Sequence, residues 1–229
     1  MENKYINLEI LYQVANGLDE LINQVIFVGG AVVSLYADSE FSNLVRPTSD
    51  IDMAVDLAKY SEQVDFQERF SRKGFHPDIT SSTIVRHHFQ GIQVDLISTS
   101  TSALGESNTW YKPGFPKRTF FELQGLLIPI LPVEYFLATK FEAYNNRGGG
   151  DYRISTDFED IVYIVNYNES VVKIISESDI MVREFLVNEF FKVANHDYFE
   201  EIIYANLDYL NIDERFIIVK ERFKQISQL

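Results

Sequence analysis

The sequence lacks cysteine altogether and contains only four histidines in 229 residues. The absence of cysteine excludes disulfides, thiolate zinc sites and cysteine nucleophiles. No run approaches the 18 or so apolar residues of a transmembrane helix, so we expect no membrane span. The N-terminal residues MENKYINLEI have no apolar core of the kind found in signal peptides. These absences together predict a soluble, cytoplasmic protein.

Positive charge is also scarce, because 20 Lys and Arg face 34 Asp and Glu, which gives a formal net charge of −14. A protein that binds nucleic acid through its overall charge needs surplus Lys and Arg to neutralise phosphates. The composition therefore argues against a generic nucleic-acid binder, and we expect no DNA partner. Hydrophobic residues make up 46% of the chain and aromatic residues 14%, which is ample for a folded core.

The hydrophobic pattern changes character near residue 131. Before that point, short apolar or alternating runs predict strands between amphipathic helices. The predicted strands include 24–28, 50–55, a hairpin around Gln90-Gly91 and a pair within 120–130. The predicted helices include 5–24 and 60–72. Pro132 opens a predicted helix over 133–146, and from Thr156 onward the pattern is helical almost to the end. We therefore expect an α/β domain over 1–131 and a helical domain over 132–229.

Three carboxylates stand on predicted strands. Asp50 and Asp52 are separated by one residue, so their side chains would share one face of a strand and repel each other. A bound cation would relieve this repulsion, and ligation by oxygen alone suits Mg²⁺. Asp95, on a later strand, would complete a two-metal site for phosphoryl transfer. The turn Gly29-Gly30, between a strand and a helix, has no side chains to obstruct a phosphate group.

These segments resemble a known superfamily. Val28-Gly29-Gly30-Ala31, Arg46-Pro47-Thr48-Ser49-Asp50-Ile51-Asp52 and Val94-Asp95-Leu96 resemble motifs of polymerase-β-type nucleotidyltransferases. The resemblance is nearest to the AbiEii-type toxins of abortive-infection, type IV toxin–antitoxin systems. The helical segments around Lys140 and Asp157 are similar to two further motifs of that group. The resemblance covers about residues 25–165 and implies an α+β fold, with a mixed sheet flanked by helices and followed by a C-terminal helical region.

The resemblance also implies roles for individual residues. Asp50, Asp52 and Asp95 would be the catalytic and metal-binding residues, with two Mg²⁺ ions bridging the phosphates of a nucleoside triphosphate such as ATP. Asp95 would also help to deprotonate the acceptor hydroxyl. The implied nucleotide-binding residues are Gly29, Gly30, Arg46, Thr48, Lys140 and Asp157. Plainer alternatives are a surface lysine for Lys140 and a helix-dipole charge for Asp157.

The acceptor and even the activity stay open at the level of the sequence. The resemblance implies a toxin-type enzyme that acts on tRNA or on a protein, with an antitoxin protein as a partner. The same fold could instead modify a small molecule such as an aminoglycoside-like antibiotic, which the acidic composition would attract. A third alternative is a non-catalytic nucleotide-binding module. Trp110, in a predicted loop over 98–118, could stack on a base or anchor the loop.

Overall fold

The protein is described by a computed structural model that covers residues 3–38, 45–57, 60–81, 83, 85–99, 107–147, 150–209 and 211–229. The chain divides into two compact units. The first comprises Met1–Leu35 and Arg46–Pro132, and the second comprises Tyr36–Val45 and Val133–Leu229. No helix among the described residues combines the length and apolar character needed to cross a membrane.

The first unit is built on a mixed sheet, in which the described residues form seven strands in the order β3-β4-β5-β2-β1-β7-β6. At its centre, β2 pairs parallel with β5 and antiparallel with β1, and β1 pairs parallel with β7. The strands are β1 (Val25–Val28), β2 (Asp50–Val55), β3 (His76–Pro77), β4 (Arg86–Phe89), β5 (Ile92–Ser98), β6 (Thr119–Leu123) and β7 (Leu126–Ile130).

Two strand pairs of this sheet are tight hairpins. Gln90 and Gly91 join β4 to β5, and both have positive φ (50° and 84°). Gln124 and Gly125 join β6 to β7 in the same way, with φ of 51° and 84°. Two central residues of positive φ match the right-handed twist of the flanking strands and fix the register of each hairpin.

The helices of the first unit cover the sheet with apolar residues. The helix α1 (Asn3–Leu18) packs against β2 and β7 and is followed by a 3₁₀ helix over Asp19–Gln24. The helix α2 (Tyr60–Arg72) buries Phe66 and Phe70. Phe70 stacks on Phe75, and Phe75 stacks on Phe89 of β4, with ring centroids 4.1 and 4.2 Å apart. This aromatic stack attaches the β4–β5 hairpin to α2.

The second unit is helical. Its α-helices are α4 (Val133–Asn146), α5 (Thr156–Tyr167), α6 (Val171–Glu177), α7 (Ile180–Ala194), α8 (Phe199–Ala205) and α9 (Ile212–Ile226). Four fully buried phenylalanines, one each from α4, α5, α7 and α9, form the centre of its core: Phe141, Phe158, Phe190 and Phe223. Ser155 caps α5 by accepting a hydrogen bond from the backbone N–H of Phe158.

The predicted α+β fold, with a mixed sheet and a C-terminal helical region, is confirmed. The division into domains 1–131 and 132–229 stays a prediction; the compact units separate between Pro132 and Val133, and Tyr36–Val45 belongs to the second. The single helix predicted over 5–24 is wrong beyond Leu18. There Asp19 adopts φ of +50°, a left-handed conformation that Asp tolerates and that ends an α-helix.

The prediction of one long loop over 98–118 is also wrong in part. Tyr111–Gly114 forms a short helix, α3, and Phe115–Lys117 forms a 3₁₀ helix with a proline at its start. Proline suits the first turn of a helix because its missing N–H has no partner to lose there. Residues 100–106 of the predicted loop lie outside the described residues.

Candidate metal and nucleotide site

The pairing of β2 with β5 brings the three predicted carboxylates together. Asp52 lies directly opposite Asp95 in the parallel register, and Asp50 lies two residues earlier on the same face of β2. Each aspartate offers one oxygen to a group whose members all lie within 4.8 Å of one another. The sequence could place two of these carboxylates on one strand, and the sheet order now places the third beside them.

The donor set of this cluster fits a divalent cation. All three aspartates are half-buried, so their oxygens are partly withdrawn from water but still accessible. Hard oxygen ligands of this kind are what Mg²⁺ takes from proteins, usually one or two carboxylates together with substrate phosphates and water. Asp50, Asp52 and Asp95 are therefore the residues that could hold one or two such ions.

Asp50 is positioned by the segment that precedes β2. The Thr48 hydroxyl donates a 2.6 Å hydrogen bond to Oδ1 of Asp50. Asn7, a buried residue of α1, holds this segment, because its side chain donates to the carbonyl of Arg46 at 2.9 Å and accepts from the N–H of Thr48 at 3.1 Å. Thr48 therefore supports Asp50, and Asn7 supports Thr48. The role of Asn7 was not predicted, because the sequence gives no sign of a contact across 39 residues.

Gly29 and Gly30 lie against the side chains of two other predicted site residues. Gly29 has φ of +72°, and a Cβ built there would lie 1.9 Å from Oδ2 of Asp52. This proximity follows from the pairing of Val28 with Asp52 between β1 and β2. A Cβ on Gly30 would lie 2.7 Å from an Nη atom of Arg46. The glycine pair thus makes room for the Asp52 carboxylate and the Arg46 guanidinium.

Arg86 is a residue of this site that the sequence reasoning missed. Its guanidinium donates two hydrogen bonds to Asp95, from Nε to Oδ1 and from Nη2 to Oδ2, each 3.0 Å long. The pairing with Asp95 raises the pKa of Arg86 above its usual value. A signal was present, since a two-residue turn at Gln90-Gly91 sets the register that places Arg86 opposite Asp95.

Lys140 and Asp157 belong to the second unit, where they form a buried ion-pair cluster with Asp160. The Lys140 ammonium lies 2.7 Å from Oδ2 of Asp160 and 3.4 Å from Oδ1 of Asp157, and its side chain is only 8% exposed. Asp157 also accepts a 2.7 Å hydrogen bond from Arg147, whose side chain is largely exposed. Lys140 is therefore not a surface lysine. A nucleotide contact for Lys140 and Asp157 stays a prediction.

The structure also places Trp110 and the two adjacent histidines of β4. Trp110 is 8% exposed, which favours the anchoring role over base stacking, whereas Lys112 and Lys117 are exposed. His87 is buried under α2 and His88 is exposed, as their adjacent positions on a strand predict. Burial lowers the pKa of His87, so its ring is neutral at neutral pH.

Comparison with known proteins gives similarity of fold only. No family model matches the chain, and no curated protein matches it. One similar solved structure is an antigenic nucleotidyltransferase-like protein from Paracoccidioides brasiliensis, with 16% identity and a TM-score of 0.48 over 93% of this chain and 97% of that one. Another is a proposed nucleotidyltransferase from H. pylori, with 13% identity and a TM-score of 0.46 over 100% of this chain and 96% of that one. At these scores the likeness carries no argument about activity.

Proposed function

We propose that this protein is a metal-dependent nucleotidyltransferase that moves a nucleoside monophosphate from a nucleoside triphosphate to an acceptor hydroxyl. The observation that carries the proposal is the cluster of Asp50, Asp52 and Asp95, whose oxygens lie within 4.8 Å of one another beside the Gly29-Gly30 turn. The motifs that resemble polymerase-β-type nucleotidyltransferases support the same assignment. Two Mg²⁺ ions are the proposed cofactors.

In the proposed reaction, the acceptor oxygen attacks the α-phosphorus and forms the new O–P bond. The bond from the α-phosphorus to the oxygen that bridges it to the β-phosphorus breaks, and pyrophosphate leaves with that electron pair. Bound Mg²⁺ would supply stabilisation of the charge that develops on the phosphate oxygens. A carboxylate oxygen of Asp95 accepts the hydroxyl proton, and Thr48 keeps Asp50 in place by its 2.6 Å hydrogen bond.

The remaining predicted contacts belong to the triphosphate. The guanidinium of Arg46 lies beside Gly30, at the turn where phosphates would approach the backbone, so Arg46 is proposed to pair with them. Lys140 and Asp157 are proposed nucleotide contacts on the resemblance alone.

Two classes of molecule are candidates for the acceptor of the nucleoside monophosphate. The resemblance to AbiEii-type toxins favours tRNA or a protein side chain, with an antitoxin protein as a binding partner. The net charge of −14 favours a second candidate, a polycationic small molecule such as an aminoglycoside-like antibiotic. An RNA acceptor would depend on a few local cations, of which Lys112 and Lys117 are exposed.

A labelled-nucleotide screen tests the activity and the acceptor together. The protein is incubated with Mg²⁺ and each α-³²P-labelled triphosphate, with total tRNA, cell protein or an aminoglycoside panel. Label in tRNA or protein supports the toxin-type activity, and label in a small molecule supports the second candidate. If no acceptor is labelled and no pyrophosphate is released, the nucleotidyltransferase proposal is wrong and the non-catalytic module remains.

Substitution of a proposed metal ligand tests the site itself. We expect Asp95→Asn to lower transfer by at least about 100-fold, because it replaces a charged ligand with a neutral amide and removes the proton acceptor. The matched control is Asp65→Asn, which changes an exposed aspartate of α2 and should leave transfer unchanged. Comparable activity of the two variants would contradict the assignment of Asp95.

A further inference from the structure

A cation of the protein itself already occupies one of the proposed metal ligands. Both oxygens of Asp95 accept hydrogen bonds from Arg86, each at 3.0 Å, and the Asp95 side chain is only 14% exposed. A divalent ion shared by Asp95 and its two neighbours would compete for the same oxygens and would be repelled by the guanidinium. Charge-assisted, two-pronged pairs of this kind are among the stronger hydrogen bonds in proteins.

The backbone of Arg86 is held firmly, so that any release must come from its side chain. The carbonyl of Arg86 accepts a 2.9 Å hydrogen bond from the N–H of Asp78. The next residue, His87, points to the other face of the sheet, where its ring meets Phe70 of α2 edge-on at 5.1 Å. One face of β4 is thus anchored under α2, while the Arg86 side chain lies on the other face and is 32% exposed.

Gln93 offers the Arg86 guanidinium a second acceptor. Gln93 lies two residues before Asp95 on β5 and so shares its face of the sheet. With its amide oxygen turned toward Arg86, Gln93 accepts hydrogen bonds from Nη2 at 3.0 Å and from Nε at 3.2 Å. A neutral acceptor therefore stands beside the charged one, within reach of the same two donors.

We propose that Arg86 is a positioning residue that acts as a displaceable counterion: it holds Asp95 ready in the absence of metal and, when a divalent cation binds, gives up the Asp95 oxygens while keeping Gln93 as its acceptor. The inference rests on the proposed metal site. In this arrangement Arg86 partly sets the affinity of the site for the cation. Without metal, Arg86 keeps the three carboxylates close together. The exchange changes hydrogen-bond partners only, and no covalent bond forms or breaks.

Mn²⁺ binding to the nucleotide-free protein tests this exchange, with free Mn²⁺ measured by electron paramagnetic resonance. We expect Arg86→Gln to bind Mn²⁺ about tenfold more tightly, because the competing charge-assisted pair is lost. Arg86→Lys should bind about threefold more tightly, since an ammonium keeps the charge but cannot make the two-pronged contact. Gln93→Leu should bind more weakly, because the guanidinium released from Asp95 then lacks the Gln93 acceptor.

The control is Arg72→Gln, which removes one positive charge from an exposed position of α2 and should bind Mn²⁺ as the wild type does. Wild-type affinity or weaker binding in both Arg86 variants overturns the inference. If Arg86→Lys alone matches the wild type, the effect is one of net charge, which also overturns it. Tight binding by the Arg86 variants together with weak or absent binding by the wild type supports it.

Asp95→Asn separates this inference from the proposed function. If it abolishes Mn²⁺ binding while the Arg86 variants behave as the wild type, the metal site stands and the counterion role fails. If Asp95→Asn leaves Mn²⁺ binding unchanged, or no variant binds Mn²⁺, the proposed metal site fails, and the inference fails with it. Melting temperatures of the metal-free variants verify that each one is folded.

Discussion

Substitution of Gly29 by alanine combines two separable effects, one of backbone conformation and one of contact with the metal site. Gly29 has φ of +72°, and its missing Cβ would lie 1.9 Å from Oδ2, 2.7 Å from Cγ and 2.9 Å from Cβ of Asp52. The left-handed backbone costs alanine about 1–2 kcal/mol relative to glycine. The contact cannot be relieved without moving Asp52, so the substitution should also displace a proposed metal ligand.

The matched control for this backbone cost is Gly91→Ala. Gly91 has φ of +84°, and nothing lies within 4 Å of a Cβ built there. We expect Gly91→Ala to lower the free energy of unfolding by the backbone cost alone and to leave Mn²⁺ affinity unchanged. Gly29→Ala should lose about 1–3 kcal/mol more, as overpacked sites do, and should bind Mn²⁺ at least about tenfold more weakly. Urea unfolding and Mn²⁺ titration of the two variants measure these differences.

A double-mutant cycle with Asp52→Ala isolates the contact between the two residues. Asp52→Ala removes the atoms at 1.9 and 2.7 Å and leaves only the Cβ at 2.9 Å. The Gly29→Ala change should therefore cost about 1 kcal/mol less in the Asp52→Ala background than in the wild type. Equal costs in both backgrounds, or equal losses in Gly29→Ala and Gly91→Ala, would refute the reasoning that Asp52 fills the space above Gly29.

Three other substitutions are expected to change stability, as urea unfolding would measure. Asn7→Ala should cost about 1–3 kcal/mol, because two backbone groups lose their buried partner; the exposed Gln13→Ala should cost much less. Lys140→Met should cost about 3–5 kcal/mol, since it removes the ammonium that pairs with two buried carboxylates; Lys173→Met, at an exposed pair, should be nearly neutral. Burial lowers the pKa of His87 below its unfolded value of about 6.5, so the free energy of unfolding should fall as the pH drops below 6.5. His87→Gln should reduce this pH dependence of stability. An unchanged slope of stability against pH in His87→Gln would contradict this prediction.

The sequence predicts most of the fold because its turn residues and its hydrophobic periodicity indicate the same helices and strands. The helices over 60–72 and 133–146 occur at the predicted bounds. Gln90-Gly91 sets not only a hairpin but also its register, which places Arg86 opposite Asp95. The contact of Arg86 with Asp95 therefore follows from the two-residue turn together with the pairing of β4 and β5.

Other features depend on contacts between distant segments, which no local pattern encodes. The sequence puts Asp50 and Asp52 on one face, but the approach of Asp95 requires β5 to lie beside β2, across an intervening helix and hairpin. Asn7 is similar, since its two bonds span about 40 residues and its position in α1 is that of an ordinary helical residue. The pairing of Lys140 with Asp160 likewise needs the packing of α4 on α5.

The charge repulsion within the aspartate cluster is partly offset by the protein itself. Two carboxylates on one strand were expected to need a cation, but each end of the cluster has a partner of its own within the protein. Thr48 donates to Asp50, and Arg86 donates to both oxygens of Asp95. Because these bonds offset the repulsion without metal, a divalent cation would bind to a site that is already assembled. Metal binding should therefore add only the stability that mass action provides, rather than being required for the first unit to fold.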